Sequence, residues 1–338
     1  MGVRSDTRGS ARRAVLFLGA VAALLLPARA VRAQDMDHAG GLGAGQIGAG
    51  VVGGVAQGLV VLLVGLVAFA AVVWIPASRP YAGVGEAGRT FVRGAWALAG
   101  ALVVVGVADL SIYAARATGD ALGPALFGEA LFGTRTGWLW IARILLAGLT
   151  ALAATWAARQ RRATPWWAAT GVGSLLLVTL AQGSHAAAEP GVLPLLSSWL
   201  HVVAASFWIG GLLGFPAMLL GPLRALEPGE RSKLLRTAVR RFSKVATAAV
   251  LLVVATGLHA TLLNVPSLDA ALETAYGRAL IMKLGLVALM LAAGGINLID
   301  NGKGPLGRMV GAELVLAFGV LLAAGFLTTL PPASYASP

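Results

Sequence analysis

The stretch LPLLSSWLHVVAASFWIGGLLGFPAMLL, Leu193–Leu220, contains no Lys, Arg, Asp or Glu. At about 1.5 Å per residue, a helix of this length more than crosses the roughly 30 Å hydrocarbon core of a bilayer. The stretch therefore reads as a membrane span, with His201 as its one ionisable side chain. An imidazole is costly in hydrocarbon, so an intramembrane histidine is a functional candidate.

Outward from this stretch the pattern repeats. Apolar residues make up 58% of the 338-residue chain and charged residues 12%, about half the charge fraction of a soluble domain. The apolar residues fall into eight blocks: Val51–Trp74, Phe91–Tyr113, Thr136–Ala158, Pro165–Gly183, Leu193–Leu220, Ser243–Asn264, Gly277–Ile299 and Arg308–Leu330. The expected fold is all-α, a polytopic membrane protein built as an eight-helix bundle. The net charge of +12 would suggest nucleic acid in a soluble protein. Here the basic residues sit in loops and orient the helices, so no nucleic-acid partner is expected. The chain has no cysteine, which excludes disulfides and thiolate metal sites.

The N-terminus reads separately. Arg12 and Arg13 precede the apolar run Ala14–Leu26, and small residues follow at Ala28, Ala30 and Ala33. This is a signal-peptide pattern over residues 1–33. Residues 34–50, with "QDMDHAGG" near their start, form an expected Gly-rich tail outside the cytoplasm. The first four spans occupy 51–183, the second four 193–330, and 331–338 form an external C-terminal tail. Loop charge supports this orientation. The loops assigned to the cytoplasm carry fifteen Lys and Arg, seven of them between Arg224 and Lys244. The other side has Arg116 and Arg135, with Arg278 at a border. This is the positive-inside distribution of a multi-pass membrane protein.

The two halves echo one another. "TRTGWLWIARILL" from Thr134 and "TAYGRALIMKLGL" from Thr274 share Thr, then Gly three later, then a basic residue six beyond, Arg143 or Lys283. "VADLSIY" and "GLHATLL" align at an offset of 150 and pair Asp109 with His259; "TLAQGS" and "TLPPAS" align at the same offset. An even number of crossings per unit makes two such four-helix repeats parallel.

Span assignment converts position into depth. His201 lies about 12 Å, and His259 about 7 Å, below the external surface. His185 sits just past the external end of the fourth span, and His38 on the external tail. Imidazole and thioether together suit copper. Candidate ligands are therefore His201, His259 and His185, with Met282 beside Lys283, and with Met36 and His38 of "DMDH" as a flexible capture tail. Each histidine could instead serve a hydrogen bond within the bundle, and the methionines could simply pack. Glu313 is an intramembrane acid nearer the inner side, with Asn297 at similar depth. No HExxH motif, Gly-rich phosphate loop or oriented nucleophile is present, so no enzyme activity is expected.

The second half resembles the copper-resistance protein D (CopD/PcoD) family of bacterial inner-membrane proteins. The resemblance rests on "QGSHA" (182–186), "WLHVVAASFWIGGL" (199–212), "RFSKVA" (241–246), "ATGLHATL" (255–262), "TAYGRALIMKLGLV" (274–287), Asn297, Glu313 and "LTTLPPA" (327–333). It implies copper uptake or homeostasis, with copper ion as cargo and a periplasmic copper-binding protein as partner. Two other readings stay open. One is a b-type cytochrome with His201 and His259 as axial haem ligands. The other is a non-transporting scaffold that delivers copper.

Overall fold

The computed structural model describes residues 44–81, 87–118, 123–160, 162–299 and 306–335. The expected signal segment, and Met36 and His38, lie outside these. The described residues are helical and contain no strand. Eight helices are long and apolar enough to cross a membrane, and each coincides with an expected span. Leu193–Leu220 has the expected bounds.

The helices are α1 (Ala44–Phe69, continuing through a π-helical turn at Ala70–Trp74 to Ser78), α2 (Ala87–Thr118), α3 (Pro124–Gly133), α4 (Arg135–Gln160) and α5 (Ala163–Gln182). The second half has α6 (Leu193–Ala205, a π-helical turn at Ser206–Gly210, then Gly214–Leu220), α7 (Pro228–Asn264), α8 (Leu268–Glu273), α9 (Ala275–Ile299) and α10 (Leu306–Thr329). The same order therefore occurs twice: two long helices, one short helix, two long helices. Helix α1 starts at Ala44, so the last residues of the expected tail belong to the first span.

The sequence echo has a structural cause. Thr134 and Thr274 stand between a short helix and the next span. Each threonine hydroxyl donates to a short-helix carbonyl, Ala130 or Ala270, at 2.6 Å. Each also accepts from a backbone N–H at the start of the span, Gly137 or Gly277, at 3.0 Å. The threonine is thus an N-cap tied to the preceding turn. A Cβ at Gly137 or Gly277 would strike short-helix backbone, at Leu131 or Ala271. Thr-x-x-Gly is the only part of the echo that this geometry demands. Proline in the first turn opens α3, α6 and α7, where a missing N–H costs nothing.

Helix α1 is the axis of the bundle. It packs against α2, α5, α6 and α10, and 78% of its most apolar window is buried, against 11% for α7. Small residues permit this. Gly54 meets α10 at Gly325, and Gly65 meets α6 at Ser206 and Gly210, with no room for a side chain at either crossing. Toward the end of the bundle that carries Trp74 and Trp166, an aromatic cluster of Phe69, Trp74, Phe91, Trp166, Phe215 and Phe242 fills the space between α1, α2, α5, α6 and α7.

Candidate functional site

The short helices α3 and α8 mark one end of the bundle, and His185, His201 and His259 all belong to that end. His201 is on α6 and packs on α7, where Gly257 leaves space: a Cβ there would lie 3.5 Å from the ring Cε1. The ring Nδ1 is 2.9 Å from Thr256 Oγ1. Thr256 Oγ1 in turn donates to the Leu252 carbonyl at 2.6 Å, the usual back-bond of a helical threonine. A hydroxyl has one hydrogen, and this one is taken. With the hydroxyl hydrogen on that short back-bond, Thr256 accepts from His201 Nδ1, the tautomer that leaves Nε2 with its lone pair. The Val253 carbonyl beside the ring adds an acceptor and no donor. This is how metal-binding imidazoles are oriented: one nitrogen donates to a second group, which fixes tautomer and plane, while the other faces the metal.

His259 is on α7, three residues beyond Thr256, half-buried, and no hydrogen bond engages it among the described residues. Lys283 of α9 is half-buried and close enough for its charge to act on His201. Met282 is 54% exposed, whereas Met290 is buried at 1%. His185 is set apart. Its Nε2 lies 3.0 Å from the Leu327 carbonyl, the acceptor in that pair, and its ring meets Tyr276 edge-on at 6.1 Å. It ties the end of α5 to α9 and α10. No group of three or more His, Cys, Asp or Glu that could hold a metal occurs among the described residues. Glu313 is buried and faces α9 near Gly294. The Asn297 side chain lies outside the described residues.

The first half holds a polar cluster that the sequence indicated only as separate residues. Trp140 Nε1 donates to Asp109 Oδ2 at 3.0 Å. Arg143 stacks over the Trp140 ring at 4.3 Å, and its guanidinium donates to Thr179 Oγ1 and to the Thr179 carbonyl. Nearby, Arg135 donates to the Gln182 side chain at 2.6 Å and to its carbonyl. Gly106 makes room for the Trp140 ring. The spacing of Asp109, Trp140 and Arg143 on facing helices was the available signal, but their pairing requires the helix register.

Such a bundle, with charged and imidazole groups held inside its apolar spans, is that of an α-helical polytopic membrane protein. Residues 236–327 match the family described as Copper resistance protein D, and residues 49–195 match Copper resistance protein D-like, N-terminal domain. The chain belongs to the copper resistance protein D family. It is similar to the copper transport protein CutJ of Bacillus subtilis (strain 168), at 33% identity over 220 residues. That match covers 63% of this chain and 40% of the relative, so the chain spans less than half of that protein. No solved structure matches.

Proposed function

We propose that this protein moves copper across a bacterial inner membrane, and that His201 is a ligand on the path. The observation that carries the reading is the contact of His201 Nδ1 with Thr256, which holds the ring inside a span and, with Nδ1 protonated, leaves Nε2 as a pre-oriented ligand. His259 on the adjacent turn of α7 supplies the second imidazole of the proposed site. Met282 and His185 serve nearer the surface, and Met36 and His38 of the N-terminal tail capture copper from outside. In this reading the short-helix end, with both termini, faces away from the cytoplasm, and a periplasmic copper-binding protein is a suitable donor or acceptor. The basic loops at the opposite end support that orientation through the positive-inside rule. Copper passes by exchange between soft or borderline ligands. A transport cycle then requires relative motion of the two halves about the fixed site.

The test is copper uptake into vesicles that contain the full chain, normalised to inserted protein. His201→Ala and His259→Ala are each expected to remove most uptake while leaving insertion intact. The double variant should be little worse than either, because residues of one site act as a unit. Unchanged copper binding in the double variant would eliminate the site. A visible spectrum of the same sample separates a haem protein, which would lose an absorption band in both single variants.

A further inference from the structure

Helix α7, Pro228–Asn264, is 37 residues long. Counting back from Asn264, the roughly 20 residues needed for the hydrocarbon core end near Lys244. The segment before Lys244 is still helical and has two faces. Leu234, Ala238 and Phe242 recur every fourth residue and are buried, with the Phe242 ring against Phe69 and Phe215 at 6.1 and 5.2 Å. Lys233, Arg236, Arg240 and Lys244 recur every third or fourth residue on the opposite side, and all four are exposed. Their side chains make no ion pair or hydrogen bond among the described residues. Arg231 and Arg241 flank the row and are exposed too, while the acids of this segment, Glu227 and Glu230, stand at its far end.

The row meets the bilayer at a definite depth. Lys244 lies at the edge of the hydrocarbon core, and Arg240 about 6 Å further out, within the headgroup layer. Arg236 is about 12 Å from Lys244, still within about a Debye length of the headgroup phosphates. We propose that this row of α7 binds the headgroups of anionic phospholipids. A second copy of the chain does not suit the surface, because a two-fold contact would set the row against itself. A soluble acidic protein does not suit its inner members, which sit where headgroups are. Basic clusters directly beside a span are the usual readers of anionic lipid.

The site has a consequence for the rest of the helix. Thr256 and Gly257, which hold His201, are on the same unbroken helix, about 18 Å from Lys244. The middle of α7 is little enclosed by the bundle. Lipid at one end therefore sets the axial position of the residues at the other. The lipid assignment itself does not depend on the copper reading.

The test uses the purified full chain, equilibrated with equal amounts of phosphatidylglycerol and phosphatidylcholine and examined by native mass spectrometry. The wild type is expected to retain phosphatidylglycerol several-fold over phosphatidylcholine, and phosphatidylglycerol should raise its melting temperature. The variant Lys233→Gln, Arg236→Gln, Arg240→Gln, Lys244→Gln should lose both effects. The charge-conserving variant Arg236→Lys, Arg240→Lys should keep them. If the fourfold variant does not insert, Arg240→Gln, Lys244→Gln reads the same loss at the headgroup layer. Equal retention of the two lipids by the wild type, or an undiminished preference in the Gln variants, overturns the proposal. Equal retention together with tight binding of polyglutamate would assign the row to a soluble acidic partner instead.

Discussion

At the short-helix end of α2 and α4, Asp109, Trp140 and Arg143 close on one another; at the matching end of α7 and α9, His259, Leu280 and Lys283 do not. The positions correspond by the offsets of 150 and 140 that relate the two halves. In the first half, α2 packs along α4, and the indole between them bridges the acid and the guanidinium. In the second half, leucine replaces the indole, α7 packs on α6, and it makes no comparable contact with α9. Gly106 and Thr256 occupy the same position in the two halves. The glycine admits Trp140, and the threonine orients His201. One half spends its intramembrane polar groups on each other, so they hold it together. Among the described residues, the other leaves an imidazole nitrogen, a second imidazole and an ammonium without hydrogen-bond partners, and the two imidazoles are the donors of the site proposed above.

The strongest challenge to this contrast is Arg143→Met. It removes a buried guanidinium from Thr179 and from the face of Trp140, and losing hydrogen bonds to a buried charged group costs about 1.5–3 kcal/mol. The expected outcome is loss of folded protein, read as a lower melting temperature in detergent. Lys283→Met, at the matching position, should change the melting temperature little. Equal losses would mean that the second half is as closed as the first.

Thr256→Val sharpens the contrast from the other side. It keeps the shape against His201 but removes the acceptor that fixes the ring. Loss of such an orienting partner typically lowers metal affinity about 10–100-fold. Copper titration of the purified variant should show a fall in that range with little change in melting temperature. Thr179→Val in the first half should show the reverse, lower stability with unaltered copper affinity.

The smallest expected effect is that of Trp140→Phe. The ring still fills the space over Gly106, but Asp109 loses its N–H donor. Hydrogen bonds between membrane helices average well under 2 kcal/mol, so a cost of about 1 kcal/mol is expected in the same melting assay. A much larger loss would show that the indole organises the cluster rather than completing it.

The eight spans were legible because hydrocarbon imposes length and composition on each segment separately. The short helices α3 and α8 were not, being too brief and too mixed in composition to show a period. The extension of α7 before Ser243 was missed because its basic residues end the apolar run. Its helical character was nonetheless readable in Leu234, Ala238 and Phe242, spaced four apart. The π-helical turns in α1 and α6 leave no mark in composition. Among site residues, His201 was visible as a lone ionisable group in an apolar run. Thr256 was not, because a threonine in a span usually bonds only its own helix; the approach of α6 gives it a second role. Asp109 and Arg143 were each noticeable, but Trp140, which joins them, was not singled out, and its contact with Asp109, 31 positions away, depends on how α2 and α4 are phased.

The crossing at Gly65 and Gly210 sets a mechanical scale. There the first helices of the two halves touch backbone to backbone, and one turn further along the Phe69 ring of α1 lies on Gly214 of α6. His201 is nine residues from Gly210 along α6, roughly 13 Å from this fulcrum. A turn of about 10° between the halves would swing the imidazole through roughly 2 Å, about the length of a metal–imidazole bond. At such a lever ratio, the copper cycle proposed above needs only a small change in tilt between the halves to make or break the attachment of an ion.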